Sequence, residues 1–128
     1  MPGAKILLVD DEPHIPLVVG RKLSSAGYEV LTASDGEEGF ATAKEASPDL
    51  IITDLQMPYM SGAELAAALR DDGDTEGIPV ILLTARGYML PEEEREAPNI
   101  KRYLAKPFSV QQILDAVAEL LRSDAEAA

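Results

Sequence analysis

The sequence predicts an α/β protein in which helices cover both faces of a single doubly wound parallel sheet. Three short apolar runs support this prediction: Ile6–Val9, Leu50–Ile52 and Val80–Leu83. They are continuous instead of alternating, as is typical of strands that are buried on both sides by helices. Segments with the length and period of helices separate the runs. We therefore expect five strands that alternate with five helices through right-handed crossovers.

The strands differ in how strongly the sequence marks them. The three apolar runs suit the middle of the sheet, whereas Tyr28–Leu31 and Ile100–Leu104 are less apolar and suit its edges. With 128 residues and 46% hydrophobic content, the chain can bury one core. We therefore assign residues 1–122 to one domain and expect the short polar tail, residues 123–128, to fray.

The helices are marked mainly by their first turns. Pro13 suits the first turn of a helix that runs to about Ala26, and Pro16 should distort that turn. A serine followed three residues later by Glu or Gln is typical of a capping box. This pattern predicts three further helix starts, namely Ser34 with Glu37, Ser61 with Glu64, and Ser109 with Gln112.

The last two helices are unequal in length. Between residues 84 and 103, Gly87, Pro91 and Pro98 leave room for a helix of little more than two turns, residues 92–97. The final helix is longer and has one apolar face at helical spacing. That face consists of Val110, Ile113, Leu114, Val117, Leu120 and Leu121.

Composition limits the kinds of partner and site. A formal net charge of -12 argues against direct binding to nucleic acid or to an anionic membrane, because both depend on clustered Lys and Arg. The chain has no cysteine, which excludes disulfides, thiolate nucleophiles and cysteine-based zinc sites. No segment has the pattern of a signal peptide or of a membrane span. We expect a soluble, cytoplasmic protein that binds another protein or a small cation.

Polar side chains follow four of the predicted strands where those strands end. They are Asp10 and Asp11, Asp54, Thr84 and Lys106. The carboxyl ends of parallel strands meet at one edge of a sheet, so these side chains should share a cleft. Clustered carboxylates repel one another and are stable mainly when a cation neutralises them. Oxygen ligands of this kind suit Mg2+, which predicts a magnesium site.

The same residues could carry phosphoryl transfer. An aspartate can form an acyl phosphate, while a lysine and a hydroxyl can stabilise the charge on the transferred group. Each residue also has an ordinary interpretation when taken alone. Asp10 and Asp11 could cap a turn, Thr84 could be a plain strand residue and Lys106 could be solvated. The combination favours a phosphorylation site.

Five segments together resemble the receiver domain of two-component response regulators. They are Leu8–Glu12, Thr53–Pro58, Met60–Gly62, Leu83–Ala85 and Tyr103–Phe108, and they occur in the family's order over nearly the whole chain. The resemblance implies a flavodoxin-like, CheY-like fold with strand order 2-1-3-4-5. It also implies a signalling role in a phosphorelay, in which the domain assists its own phosphorylation and dephosphorylation without being an enzyme.

The resemblance assigns roles around the metal. It implies that Asp54 is the phosphoacceptor and that the donor is a phosphohistidine on a sensor histidine kinase or a phosphotransfer protein. Asp11, Asp54 and the backbone carbonyl of Gln56 would bind Mg2+ directly. Asp10 would act mainly through metal-bound water. The downstream partner would be a protein that the sequence does not identify.

Other roles concern the phosphoryl group and the switch. By resemblance, Lys106 would pair with the phosphoryl group, and a cis bond between Lys106 and Pro107 would direct the lysine into the cleft. Thr84 would hydrogen-bond to the phosphoryl group on activation, and Tyr103 would be the aromatic switch. Gly62 resembles the glycine after the phosphorylation loop, although it also fits as a small residue in a helix's first turn.

The chain departs from the family pattern before its last strand. The family usually has a Gly-Ala pair and small residues just before the last strand, and in this sequence those positions read Pro98-Asn99-Ile100. Asparagine can adopt a left-handed backbone, which would preserve the turn. Arg86 and Gln56 occupy positions that tune acyl phosphate hydrolysis in the family, and a solvated arginine is an equal alternative for Arg86.

Two other functions remain open at this stage. A hydrolase of the haloacid dehalogenase type would use the aspartate as a transient nucleophile, but that motif has a second acid where Gln56 stands. A receiver that acts only as a scaffold would lack part of the site residues. The chain could be a stand-alone receiver or a fragment of a longer regulator. His14 is the only histidine and is assigned a surface role.

Overall fold

The computed structural model describes residues 3–84, 99–105 and 109–127, with side chains up to Arg122. In chain order, the elements are β1 (Lys5–Val9), α1 (His14–Ser25), β2 (Glu29–Ala33), α2 (Gly36–Ala46), β3 (Leu50–Asp54), α3 (Gly62–Arg70), β4 (Val80–Thr84), β5 (Ile100–Ala105) and α4 (Val110–Ala127). All neighbouring strands pair in parallel, in the order β2-β1-β3-β4-β5. The predicted fold class, strand order and edge strands are confirmed.

Four helices lie in the described part of the chain. The short helix predicted at residues 92–97 falls outside the described residues. Helix α4 continues to Ala127, so the backbone of residues 123–127 is helical, and the expectation that this polar tail frays stays a prediction. None of the described helices combines the length and apolar character that crossing a membrane requires.

The sheet separates two hydrophobic cores. On one face, Leu7 and Ile51 pack with Ala43 of α2 and Leu65 and Leu69 of α3. The opposite face is covered by α1 and α4, and its largest fully buried side chains are Ile6, Leu23, Leu50, Ile52, Ile81, Leu83 and Ile113. All residues of β3 and β4 are buried. These continuous apolar strands are therefore the centre of the domain, and their carboxyl ends have fixed positions.

The helix starts agree with the sequence in two of three cases. Ser61 and Glu64 form a complete capping box at α3. At α4, Ser109 and Gln112 exchange the same pair of hydrogen bonds. The capping box predicted at Ser34 and Glu37 is wrong, because the helix cap lies one residue later in the chain.

Helix α2 begins one residue later than predicted. Asp35 is its N-cap and accepts a hydrogen bond from the Glu38 amide at 2.7 Å. The Glu38 carboxylate reaches back to the amide and hydroxyl of Ser34. Aspartate and serine are about equally good N-caps, so two adjacent candidates could not be ranked from sequence.

Pro16 lies in α1 without the loss of a hydrogen bond. The helix begins at His14, and its N-cap is Pro13. The first intrahelical bond runs from the Leu17 amide to the Pro13 carbonyl, at 3.2 Å. Pro16 precedes that amide and occupies a position where a helix has no partner for an N–H group.

An irregularity in β5 sets which way its side chains point. Val80 pairs with Ile100, but Ile81 pairs with Arg102, which leaves Lys101 as the extra residue of a bulge. Ile100 consequently packs in the core beside α2 and α3, whereas Leu104 packs in the core beside α1 and α4. Regular alternation would place these two residues on the same face.

Candidate functional site

The sheet register brings three predicted site residues to adjacent strand ends. Val9 pairs with Thr53, so Asp10, which follows β1, and Asp54, the last residue of β3, lie side by side at the same edge of the sheet. Asp54 pairs with Leu83, and Thr84 is the next residue of β4. The order β1-β3-β4 therefore places both carboxylates and the threonine at one edge, as predicted from the sequence.

The three carboxylates form a compact cluster. One oxygen atom from each of Asp10, Asp11 and Asp54 lies within 4.8 Å of the other two. Asp10 and Asp54 are buried, with 5% and 7% of their surface exposed, whereas Asp11 is exposed. The Glu12 amide donates to Oδ1 of Asp10 at 2.9 Å, which orients that carboxylate.

This donor set fits Mg2+. Carboxylate oxygens are hard ligands, and two of the three residues are buried where like charges repel strongly. A divalent cation would relieve that repulsion. Mg2+ usually binds one or two carboxylates and retains several water molecules. The cluster is open to solvent at Asp11, so there is room for those waters.

The remaining predicted site residues are described only in part. Thr84 is buried and pairs with Ala105 at the end of β5. Lys106 follows Ala105 but lies outside the described residues, as do the Lys106-Pro107 bond and Arg86. Gln56 is exposed in the loop after β3, and Tyr103 on β5 is 39% exposed. The exposed surface position predicted for His14 is also observed.

Thr53 and Gly62 both contact the backbone carbonyl oxygen of Asp54. The Thr53 hydroxyl donates to the Asp54 carbonyl oxygen at 3.0 Å. Gly62 packs against the same oxygen so closely that a Cβ atom there would overlap it. The Gly62 amide also donates to the Leu55 carbonyl at 2.8 Å. Gly62 therefore belongs to the supporting structure of the site, not merely to a helix's first turn.

Thr53 was missed as a site residue. Its only signal in the sequence is that a polar side chain ends the otherwise apolar run Leu50–Ile52. A threonine at such a place is usually an ordinary strand residue. Its contact with the Asp54 carbonyl becomes evident only when the side chain's position is known.

The expectation for Asn99 is wrong in its mechanism. Its backbone is not left-handed, because Ser47 and Tyr59 are the only non-glycine residues with positive φ in the part of the chain that the structure describes. The Asn99 side chain instead donates to the carbonyl of Ala66 in α3 at 2.8 Å. Asn99 is 4% exposed, so the turn before β5 is anchored by a buried hydrogen bond.

Comparison with known sequences assigns the family. The sequence model of the response regulator receiver domain matches residues 6–118. The DNA-binding dual master transcriptional regulator RpaA of Synechocystis is 41% identical over 118 residues, which are 92% of this chain and 49% of that protein. The phosphate regulon transcriptional regulatory protein PhoB of Pseudomonas aeruginosa is 37% identical over 126 residues, 95% of this chain and 53% of that protein. The chain thus spans about half the length of these relatives.

Solved structures agree with this assignment. The chemotaxis response regulator CheY4 of Vibrio cholerae is 37% identical with a TM-score of 0.83, and the match covers 91% of this chain and 98% of that one. The receiver domain of a sensor histidine kinase from Pseudomonas aeruginosa is 29% identical with a TM-score of 0.82, covering 93% and 98% of the two chains. Its structure holds a magnesium ion coordinated in the active site cleft. The family match over most of the chain, together with this shared fold, shows that the chain belongs to the response regulator receiver domains of two-component systems.

Proposed function

We propose that this chain is a phosphorylation-controlled binding module whose phosphoacceptor is Asp54. Receiver domains are signalling domains that interact with histidine kinases. The donor would be the phosphohistidine of a sensor histidine kinase or of a phosphotransfer protein. The observation that supports the proposal most is the cluster of Asp10, Asp11 and Asp54, whose oxygens lie within 4.8 Å of one another at the strand ends.

Mg2+ would be held by the carboxylates of Asp11 and Asp54 and by the backbone carbonyl of Gln56, with Asp10 acting through water. Bound there, the cation would neutralise the clustered carboxylates and the oxygens of the incoming phosphoryl group. The magnesium ion in the structurally similar kinase receiver domain supports this assignment. So does the burial of Asp10 and Asp54, because a buried carboxylate is costly unless a nearby cation stabilises its charge.

The chemical step is a transfer between two protein side chains. A carboxylate oxygen of Asp54 attacks the phosphorus atom, a P–O bond forms, and the P–N bond to the donor histidine breaks. The imidazole leaves with the electron pair of that bond. Thr84 would donate its hydroxyl hydrogen to a phosphoryl oxygen, and Lys106 would pair with another.

The output would be a change in a protein-binding surface. A phosphoryl group can shift a conformational equilibrium only if it interacts differently with the two states. Thr84 and Lys106 supply such interactions, and Tyr103 on the neighbouring strand would follow Thr84 as the aromatic switch. The exposure of 39% at Tyr103 leaves its ring accessible to a partner. In a longer regulator, the partner would be an attached output domain, which the greater length of the two transcriptional regulators RpaA and PhoB supports.

Intact-protein mass after incubation with acetyl phosphate tests the proposal. We expect one phosphoryl adduct that requires Mg2+ and that disappears in Asp54→Asn. Asp74→Asn is a matched control, because Asp74 is an exposed aspartate in the loop between α3 and β4, at the opposite end of the sheet. It should keep the adduct.

The result would also separate the alternatives. A folded wild-type chain that binds Mg2+ but forms no adduct would favour a scaffold and contradict the proposal. Rapid turnover of acetyl phosphate with no lasting adduct would favour a hydrolase. The adduct could form while a phosphoryl mimic leaves the spectroscopic signals of the β5 residues unchanged. That result would support phosphorylation of Asp54 and contradict the proposed conformational switch.

A further inference from the structure

We propose that Thr53 is a positioning residue for the magnesium site, and that it acts through the backbone carbonyl of Asp54. The inference rests on the proposed function, because it assumes that Asp54 and the Gln56 carbonyl bind the cation. It assigns a role to a residue that neither carries charge nor faces the cleft.

Thr53 and Asp54 project to opposite faces of the sheet. Side chains alternate along a strand, so Thr53 shares the face of Ile51, beside α2 and α3. Asp54 shares the face of Ile52, beside α1 and α4. The Thr53 hydroxyl therefore cannot take part in the carboxylate cluster directly. It reaches the site by its hydrogen bond to the Asp54 carbonyl oxygen, at 3.0 Å.

That carbonyl lies at the start of the loop that leads to Gln56. It belongs to the peptide group that joins Asp54 to Leu55, and a rotation of this planar group turns the chain that leads to Gln56. Thr53 holds its oxygen by a hydrogen bond, while Gly62 packs against the same atom. Because this peptide group is held in one orientation, the Asp54 carboxylate and the Gln56 carbonyl keep a fixed position relative to each other.

The hydroxyl has few other options, which makes its contribution specific. Thr53 is 0% exposed, so its hydroxyl cannot bond to bulk solvent. Replacing the hydroxyl by the methyl of valine removes the donor and puts carbon in contact with the carbonyl oxygen at hydrogen-bond distance. Carbon needs more room than that, so the peptide group would have to turn. The altered plane would then weaken the binding of Mg2+.

Isothermal titration of the unphosphorylated full chain with Mg2+ tests this inference, with thermal unfolding of each variant as the stability measurement. We expect Thr53→Val to weaken Mg2+ binding by about ten-fold, the lower end of the effect that removal of supporting residues typically has on metal sites. Thr53→Ser keeps the hydroxyl and should restore binding. Thr53→Ala removes the hydroxyl without adding a methyl group. If the valine variant does not fold, Mg2+ binding by the alanine variant is the test.

Thr75→Val is the matched control. Thr75 is also 0% exposed, and its hydroxyl donates to the Leu69 carbonyl at 2.6 Å. It precedes β4 and so lies at the end of the sheet away from the carboxylates. Its substitution should lower the unfolding temperature and leave Mg2+ binding unchanged.

The outcomes are distinguishable from failure of the proposed function. A wild-type chain that binds no Mg2+ contradicts the proposed function and this inference with it. A wild-type chain that binds Mg2+, with Thr53→Val and Thr53→Ala binding equally well, overturns the positioning role alone. Weaker binding in both variants, recovered in Thr53→Ser and absent in Thr75→Val, supports it.

Discussion

Gly62 lies so close to the backbone carbonyl oxygen of Asp54 that a Cβ atom at position 62 would overlap that oxygen. A Cβ atom on Gly62 would also come within 2.8 Å of Leu82 Cδ2 and 3.0 Å of Leu55 Cα. Two of these three neighbours are backbone atoms, which cannot move aside as the end of a flexible side chain can. The first turn of α3 is therefore built against the end of β3.

Gly62→Ala should lower both stability and metal binding. The added methyl group forces the α3 start and the Asp54 carbonyl apart, and overpacking of this kind typically costs about 1–3 kcal/mol. Urea unfolding measures the first effect and Mg2+ titration the second. Gly73→Ala is the control, because its Cβ would meet nothing within 4 Å. A chain that tolerates Gly62→Ala as well as Gly73→Ala would disprove the close-packing argument.

Asn99→Asp should make stability depend on pH. The Asn99 side chain donates to the Ala66 carbonyl, and a carboxylate at this buried position cannot donate. Burial and the facing carbonyl would raise the pKa of the introduced carboxyl above its unfolded value. Stability is then retained below the unfolded pKa, where the protonated acid can donate, and is lost as the pH rises through the folded pKa.

Urea unfolding of Asn99→Asp at pH 4 and pH 7 checks this prediction. At neutral pH, we expect Asn99→Asp to lower the free energy of unfolding by more than about 3 kcal/mol. A buried charged group without hydrogen-bond partners destabilises a protein more than a buried neutral group does. Asn99→Ala removes the donor without adding charge, so its smaller loss should be the same at both pH values. Equal losses for Asn99→Asp at both pH values would contradict the proposed role of the hydrogen bond.

Much of the site followed from the sequence because parallel topology does most of the positioning. Once Ile6–Val9, Leu50–Ile52 and Val80–Leu83 are recognised as central strands, the residues after them must meet at one edge. The convergence of Asp10 and Asp54 could therefore be predicted without knowledge of any side-chain contact. Edge strands were also predictable, since their mixed polarity suits a partly exposed position.

Contacts between distant elements could not be predicted in this way. The hydrogen bond from Asn99 to Ala66 joins residues 33 positions apart, and it depends on how α3 lies on the sheet. The same is true of Gly62, whose requirement for no side chain arises from packing against Asp54. At the α2 start, Ser34 and Asp35 are both good caps, so the preference of residue types does not choose between them.

Lys44 and Asp72 should give a second pH-dependent contribution. Lys44 Nζ lies 2.9 Å from Asp72 Oδ2, and its hydrogen bond is the main cause of an Asp72 pKa below the ordinary value of 3.8. The Asp74 amide contributes to the same lowering through its bond to Oδ1. Because the folded pKa is depressed, the stabilisation is present above the unfolded pKa and is lost as the pH falls through the folded pKa.

Lys44→Met should therefore destabilise the domain more at pH 7 than at pH 2. It should also raise the pKa of Asp72 only part of the way to 3.8, because the Asp74 amide remains. Carboxyl titration by NMR and urea unfolding at the two pH values measure these effects. Lys22→Met, which removes an exposed lysine from α1, is the control. An unchanged Asp72 pKa in Lys44→Met would refute the pairing.

Tyr59 has a strained backbone and a free side chain. Its φ is 70°, and the Met60 amide donates across it to the Pro58 carbonyl at 2.8 Å, which makes it the central residue of a tight three-residue turn. A left-handed backbone costs a residue with a Cβ atom roughly 1–2 kcal/mol. The side chain is fully exposed, so burial offsets none of this cost.

Substitutions at Tyr59 should therefore change stability according to backbone preference and not according to lost contacts. Tyr59→Gly removes the strain but adds roughly 0.5–1 kcal/mol of unfolded-chain entropy, so we expect a gain of up to about 1 kcal/mol. Tyr59→Asn tolerates positive φ better than tyrosine does and should gain less than the glycine variant. Tyr59→Val is branched at Cβ and should lose about 1 kcal/mol relative to wild type. Urea unfolding ranks the three variants, and a valine variant as stable as the glycine variant would mean that the turn relaxes to a different backbone conformation in solution.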